Sequence, residues 1–177
     1  MGFTEELERG LAGEAAIATW LRGREWYVLP AYENIISHGK GPRLYAPKRE
    51  LIAPDFLVFR GDKCFWIEAK RKTAFAWHRV ASIAEPGWVT GIDLRHYVDY
   101  CRVDDETPYP VWLLFLHEGG QAKDSPPDSP AGLFGQTLGF LRRNEHHRHE
   151  NWGESGMVYW GIEKLLHLAE LCEVLPT

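Results

Sequence analysis

Pro54-Asp55-Phe56-Leu57-Val58-Phe59-Arg60-Gly61-Asp62-Lys63-Cys64-Phe65-Trp66-Ile67-Glu68-Ala69-Lys70 is the stretch on which the fold turns. Two runs rich in strand-forming residues, Asp55 to Arg60 and Cys64 to Lys70, flank Gly61-Asp62-Lys63, a composition that predicts a tight hairpin. Side chains alternate across a strand. Cys64, Trp66, Glu68 and Lys70 therefore share one face, and Phe65, Ile67 and Ala69 the other. Glu68 and Lys70 project side by side from a strand otherwise fit for a core, and the hairpin brings Asp55 back beside Glu68. Two carboxylates converging with a lysine suit a hard divalent cation and an activated water. Mg²⁺ takes oxygen ligands and keeps several waters, so two carboxylates and one main-chain carbonyl suffice to hold it.

Upstream, residues 5–22 carry a helical pattern, with Leu7, Leu11, Ala18 and Leu21 on one face, a start at Thr4 and a stop at Gly23. Glu14 falls seven residues from both Leu7 and Leu21, which aims it at the sheet. A buried carboxylate needs a cation beside it. The alternative is a helix rotated so that Ala15 faces inward and Glu14 lies in water. The helix alone leaves both readings open; the acidic hairpin favours the first. Between helix and hairpin, Glu25 to Tyr32 predicts a short strand, and Asn34 to Glu50, with Gly39, Gly41, Pro42, Pro47, Lys40, Arg43, Lys48 and Arg49, an exposed basic loop with at most one short strand.

Downstream, Arg71 to Thr90 reads as a second basic and aromatic loop, carrying Arg71, Lys72, Trp77, His78, Arg79 and Trp88. Thr90 with Asp93 resembles a capping box that opens a helix to about Val103, with Leu94, Val98 and Cys101 inward. Pro110 to His117 is nearly all apolar, as a central strand buried on both faces should be. Gly119 to Ala131 reads as a Pro-rich loop, followed by a short helix near Phe134 to Arg142, a strand Gly156 to Ile162 and a helix from Glu163. The order α-β-β-β-α-β predicts an α/β fold, a mixed central sheet flanked by helices. A chain of 177 residues suits one domain, with loop insertions near 34–53, 71–90 and 119–131.

Composition narrows the function. A net charge of −5 argues against a protein that coats nucleic acid without selectivity, since that affinity comes from many Lys and Arg on phosphates. Cys64, Cys101 and Cys172 are far apart and form no CxxC pair, which speaks against a zinc ribbon or a disulfide framework. The longest apolar run, Val111 to Leu116, is too short for a membrane span. Met1-Gly2-Phe3-Thr4-Glu5-Glu6 lacks the basic-then-apolar order of a signal peptide and carries no myristoylation pattern, so a cytoplasmic protein is expected.

Pro54-Asp55, twelve intervening residues, then Glu68-Ala69-Lys70 resembles the signature of the PD-(D/E)XK nuclease superfamily, and Gly13-Glu14 resembles its helix glutamate. The likeness spans roughly residues 5–118 and is nearest the restriction-endonuclease-like and resolvase-like branches. One departure is that Ala15-Ala16-Ile17 follows Glu14 where an alanine often stands three residues on. The resemblance implies a restriction-endonuclease-like core and a metal-dependent nuclease. Asp55 and Glu68 would hold Mg²⁺ or Mn²⁺ with the Ala69 carbonyl. Lys70 would position or help deprotonate the attacking water and offset phosphate charge. Glu14 would act through a water or at a second metal. DNA is the expected partner, with a homodimer suited to duplex cleavage.

Arg43, Lys48, Arg49, Arg71, Lys72, Trp77, His78 and Arg79 flank this site in sequence, and basic groups among aromatics suit backbone contact and base stacking. Ordinary surface charge over core tryptophans explains them equally well. In Arg142 to Glu150, His146 and Glu150 are spaced to share a cation on a helix, but no third ligand follows, and a solvated or basic patch is favoured. His117, Glu118 and Trp66 read as structural. Two rival functions stand beside the nuclease: a non-catalytic nucleic-acid-binding module, and a protein-interaction subunit of a repair, restriction or mobile-element system.

Overall fold

The computed structural model describes residues 3–31, 42–123, 125–151 and 155–175, without the side chains of residues 3, 4 and 6. The expected basic loop lies partly outside them, Lys40 included. Helix α1 (Phe3–Arg22) begins before Thr4, so Thr4 is not its cap, and it ends where the Gly23 amide bonds back to the Thr19 carbonyl. After β1 (Tyr27–Pro30) the supposed loop contains a complete hairpin, β2 (Arg43–Ala46) and β3 (Arg49–Ile52). Leu51 and Ile52 bury its end in the core, and the Asp99 carboxylate accepts the Ile52 amide at 3.0 Å. Burial of the strand end at Leu51 and Ile52 overrides a composition that reads as loop.

The predicted hairpin forms as β4 (Phe56–Arg60) and β5 (Lys63–Lys72), with Phe56 opposite Ile67, so one further step along the ladder sets Asp55 opposite Glu68. Strand β5 runs two residues past Lys70. The expected loop 71–90 instead holds β6 (Ala76–His78) and β7 (Gly87–Asp93). Thr90 caps nothing: it is a buried strand residue whose hydroxyl meets His117 Nε2 at 3.1 Å. Helix α2 (Leu94–Glu106) begins after Asp93 and buries Tyr97, Tyr100 and Val103, whereas Val98 is 44% exposed and Leu94 and Cys101 only flank the core. The inward face is set by the larger Tyr97 and Tyr100 rings packing with Val103 on the sheet.

Strand β8 (Val111–Glu118) is the predicted central strand, parallel to β5 with Glu68 beside Leu113 and Lys70 beside Phe115. The short helix expected near 134–142 forms only over its second half, as α3 (Leu138–Leu141), while its first half ends strand β9 (Ala131–Thr137). β10 (His147–His149) and β11 (Met157–Gly161) follow. The helix expected from Glu163 is a 3-10 turn (Ile162–Lys164), strand β12 (Leu166–Ala169) and the short α4 (Leu171–Val174).

These strands form a six-stranded mixed sheet ordered β1-β4-β5-β8-β9-β12, a four-stranded sheet ordered β10-β11-β7-β6, and the β2-β3 hairpin. One face of the large sheet, with Val58, Ile67 and Leu114, packs on Ile17 and Leu21 of α1 and on Val174 of α4. The other, with Leu113, Phe115 and the flanking Trp66, packs on Tyr100 and Val103 of α2 and on Trp160 of the small sheet. The chain is thus an α/β fold with a mixed central sheet flanked by helices. No helix among the described residues is long and apolar enough to cross a membrane.

Candidate active site

Asp55 stands just before β4 and is 6% exposed, its Oδ2 accepting the Ala69 amide at 2.8 Å. That bond fixes the carboxylate against the middle of the Glu68-Ala69-Lys70 triplet. Glu68 is 1% exposed. Lys70 Nζ forms an ion pair with its Oε1, and the Tyr100 hydroxyl of α2 lies against it. Beyond Lys70 and Tyr100, neither Glu68 oxygen has a hydrogen-bond donor among the described residues. A buried carboxylate left so under-satisfied is costly unless a cation completes its surroundings.

Glu14 arrives from α1. It is half-buried while Ala15 is exposed, which settles the rotation of the helix in favour of an inward glutamate. The close approach depends on Gly13: a Cβ there would sit 2.5 Å from Arg71 Cβ. Arg71 cannot easily give way, because Glu118 Oε1 accepts its Nε at 2.7 Å and Arg9 Nη2 at 2.8 Å, tying α1 to the ends of β5 and β8. The structure thus brings Glu14, Asp55, Glu68 and Lys70 into one electrostatic cluster.

Their charges act on one another. Burial, then the nearby Glu68, pushes the Asp55 carboxyl well above its usual range. Glu14 is raised too, chiefly by burial, with Glu68 adding and Lys70 opposing. Burial works against the Lys70 ammonium, but Glu68, Asp55 and Glu14 outweigh it and hold its pKa above the ordinary value. Three carboxylates around one lysine leave a deficit of positive charge. All the oxygen donors are hard, which fits Mg²⁺ or Mn²⁺ and not a softer ion.

Two further residues, Tyr100 and His96, join the site, and Lys72 joins it from the set expected only to flank it. Tyr100 presses its hydroxyl on Glu68, and burial followed by that carboxylate raises its pKa well above normal. His96, also on α2, is lowered by burial and then by Lys70. Lys72 was expected to contact nucleic acid but continues the Glu68-Lys70 face inward, its pKa lowered to about 8 by burial and the Lys70 charge. The even spacing 68, 70, 72 was the available signal for Lys72. Nothing local marked Tyr100 or His96.

The other basic candidates scatter. Arg43 Nε pairs with Glu50 at 3.2 Å, and Arg71 is held by Glu118. Lys48 is exposed at the β2-β3 turn and Arg79 is exposed beyond β6. Trp77 packs edge-on against Trp88, 5.1 Å between ring centres. Trp66 donates Nε1–H to Thr107 Oγ1 at 3.3 Å, and His117 is fully buried and stacked on Phe75, both structural roles.

No protein-family model matches the chain, and no curated protein matches it. Among solved structures it is similar to Hjc of Archaeoglobus fulgidus, a Holliday junction resolvase from an archaeal hyperthermophile, with 9% identity over 84% of this chain and 86% of that one and a TM-score of 0.47. A likeness of that size transfers neither residues nor activity.

Proposed function

We propose that the chain is a divalent-metal-dependent nuclease that hydrolyses phosphodiester bonds, with DNA as its substrate. The observation that carries this is the gathering of half-buried Glu14 and buried Asp55 and Glu68 around Lys70, with no donor to Glu68 beyond Lys70 and Tyr100 among the described residues. The resemblance of Pro54-Asp55…Glu68-Ala69-Lys70 to the PD-(D/E)XK signature supports it. Asp55, Glu68 and the Ala69 carbonyl would hold Mg²⁺ or Mn²⁺, with Glu14 beside them. Bound there, the ion supplies Lewis acidity at the phosphate and lowers the pKa of a water at neutral pH.

The chain's own residues do the rest. Lys70, with 30% of its side chain exposed, keeps its proton and offers a positive charge to a phosphate oxygen entering the site. Asp55, fixed by the Ala69 amide, is oriented before any ligand arrives, so little ordering remains to be done on binding. Tyr100 and the core beneath it keep bulk water from Glu68. Lys48, exposed at the β2-β3 turn, is a cation offered to a nucleic-acid backbone. A homodimer would bring two such centres to a duplex.

Incubation with plasmid, linear, single-stranded and branched DNA, each with Mg²⁺, Mn²⁺ or EDTA, tests this reading. Cleavage that needs metal and disappears in Asp55→Ala and Lys70→Ala supports it. Binding without cleavage on every substrate would favour a non-catalytic module, and neither would favour an interaction subunit.

A further inference from the structure

A second cluster of ligating side chains lies away from the carboxylates, on the four-stranded sheet. His78 ends β6, His147 opens β10 and His146 precedes it. β6 and β10 are the two outer strands of that sheet, with β11 and β7 between them. Yet the His78 and His147 rings lie 4.2 Å apart and His78 and His146 5.0 Å, centre to centre. The sheet curls until its two free edges meet through imidazoles. One ring nitrogen from each of the three histidines lies within 4.8 Å of the others.

The main chain has already chosen the tautomers. The Glu85 carbonyl faces His146 Nε2 at 2.8 Å and the Val80 carbonyl faces His78 Nε2 at 3.1 Å. A carbonyl only accepts, so each Nε2 carries the hydrogen and each Nδ1 is left with a lone pair. A hydrogen bond from the second ring nitrogen to a carbonyl is the support that metal-bound histidines usually have. His146 Nδ1 then meets His147 Nδ1 at 2.7 Å. Without an ion, a proton must lie between those two nitrogens, donated by His147. His147 is in turn held flat against Tyr159, 4.7 Å and 7° between ring planes.

We propose that His78, His146 and His147 form a binding site for a borderline, late first-row divalent cation of the zinc type, which fastens the two edges of the small sheet together. Imidazole nitrogen suits zinc, nickel or copper and is a poor ligand for Mg²⁺, so this site and the carboxylate site select different ions. Tetrahedral Zn–N bonds of about 2.1 Å place nitrogens about 3.4 Å apart, between the 2.7 Å His146–His147 separation and the 4.8 Å within which all three ligand nitrogens lie, so small ring rotations complete the geometry. Binding through both Nδ1 atoms moves the shared hydrogen of His147 from Nδ1 to Nε2, so that all three ligands stay neutral imidazoles. The fourth position borders a pocket of about 130 Å³ with Trp77, His149 and Tyr159 in its wall, room enough for a water. The ion also secures residues 79–86, whose Val80 and Glu85 carbonyls hold two of the ligands.

Zinc content after dialysis against buffered zinc, with Co²⁺ spectra of the same preparations, tests the site independently of cleavage. One equivalent of zinc is expected in the wild type and in Asp55→Asn, and its loss in His78→Ala and in His146→Ala. Co²⁺ should give visible d–d bands without the near-ultraviolet thiolate band that Cys64, Cys101 or Cys172 would produce. Zinc should raise the wild-type melting temperature, a readout that needs no variant to fold. Absence of stoichiometric zinc in the wild type would overturn the proposal. So would zinc retained in both histidine variants, a thiolate band, or loss in Asp55→Asn alone.

Discussion

Replacing Lys70 by methionine removes the cation that pairs with Glu68 while keeping most of the side-chain volume. Glu68 is 1% exposed and, apart from Lys70, meets the Tyr100 hydroxyl, so the variant leaves a buried carboxylate without its counter-charge beside Asp55 and Glu14. Removing one partner of a buried pair costs about 3–5 kcal/mol. Lys70 is 30% exposed, which places the expectation near the lower end, at about 3 kcal/mol. For a chain of this size each kcal/mol moves the melting temperature by roughly 2–4 °C, so a fall of roughly 6–12 °C is expected in EDTA. Melts by circular dichroism should compare the wild type, Lys70→Met, Glu68→Gln and the double variant. Glu68→Gln should cost little, because it relieves the repulsion that helps raise Asp55, and the double variant should recover most of what Lys70→Met loses. Added Mg²⁺ should stabilise Lys70→Met more than the wild type, since it supplies the missing positive charge. A melting temperature for Lys70→Met within about 2 °C of wild type in EDTA would refute the electrostatic reasoning, as would a double variant no better than the sum of its parts.

Gly13→Val should force α1 away from β5, because its Cβ would meet Arg71 at 2.5 Å and Glu118 holds Arg71 in place. A loss of about 1–3 kcal/mol is expected in chemical denaturation, with a matching loss of any cleavage as Glu14 withdraws. Gly13→Ala gains about 1 kcal/mol of helix propensity and should show the smaller loss. His117 has a pKa lowered to about 3 by burial and then by the Lys72 charge. Its folded value is below the unfolded one, so stability falls as pH drops through about 6.5 and the cost saturates near the folded value. At pH 5.5 that linkage costs about 1.4 kcal/mol relative to pH 8, and His117→Asn should lose less stability over that interval by this amount; parallel pH profiles would contradict it. Asp99→Ala should free the Ile52 amide and loosen the β2-β3 hairpin from α2, costing about 1–3 kcal/mol and speeding hydrogen exchange in residues 43–52.

What the sequence made legible was local and periodic. The alternation through Cys64 to Lys70 placed Glu68 and Lys70 on one face, and hairpin length alone returned Asp55 to them. The apolar run from Val111 declared the central strand. Glu14 needed both helix and strand to be read together. The errors arose where tertiary burial overrode composition. Arg43 to Ile52 looked like loop because charges and Pro47 crowd its exposed side, while Leu44 and Leu51 pack or bury on the other. β9 was obscured by Gly132 and Gly135, yet a Cβ at Gly135 would lie 2.4 Å from the Leu114 side chain, so close strand packing demands the residue that weakens strand propensity. Thr90 and Asp93 mimicked a helix cap because the pattern carries no information about His117, whose ring nitrogen partners the Thr90 hydroxyl. The histidine cluster escaped for a related reason. His146 was weighed against Glu150 nearby in sequence, whereas its third partner, His78, belongs to a strand brought there only by the curl of the small sheet.

The decisive measurement is one labelled DNA substrate, chosen from those the wild type binds, followed for cleavage while Mn²⁺ occupancy is read on the same samples by water-proton relaxation. Wild-type cleavage should rise with Mn²⁺ occupancy and vanish in EDTA. Asp55→Asn, still folded by circular dichroism, should lose both the ion and the cleavage. Cleavage that persists in Asp55→Asn, or full Mn²⁺ occupancy in the wild type with the DNA left intact, would contradict a phosphodiesterase centre built on Asp55, Glu68 and Lys70.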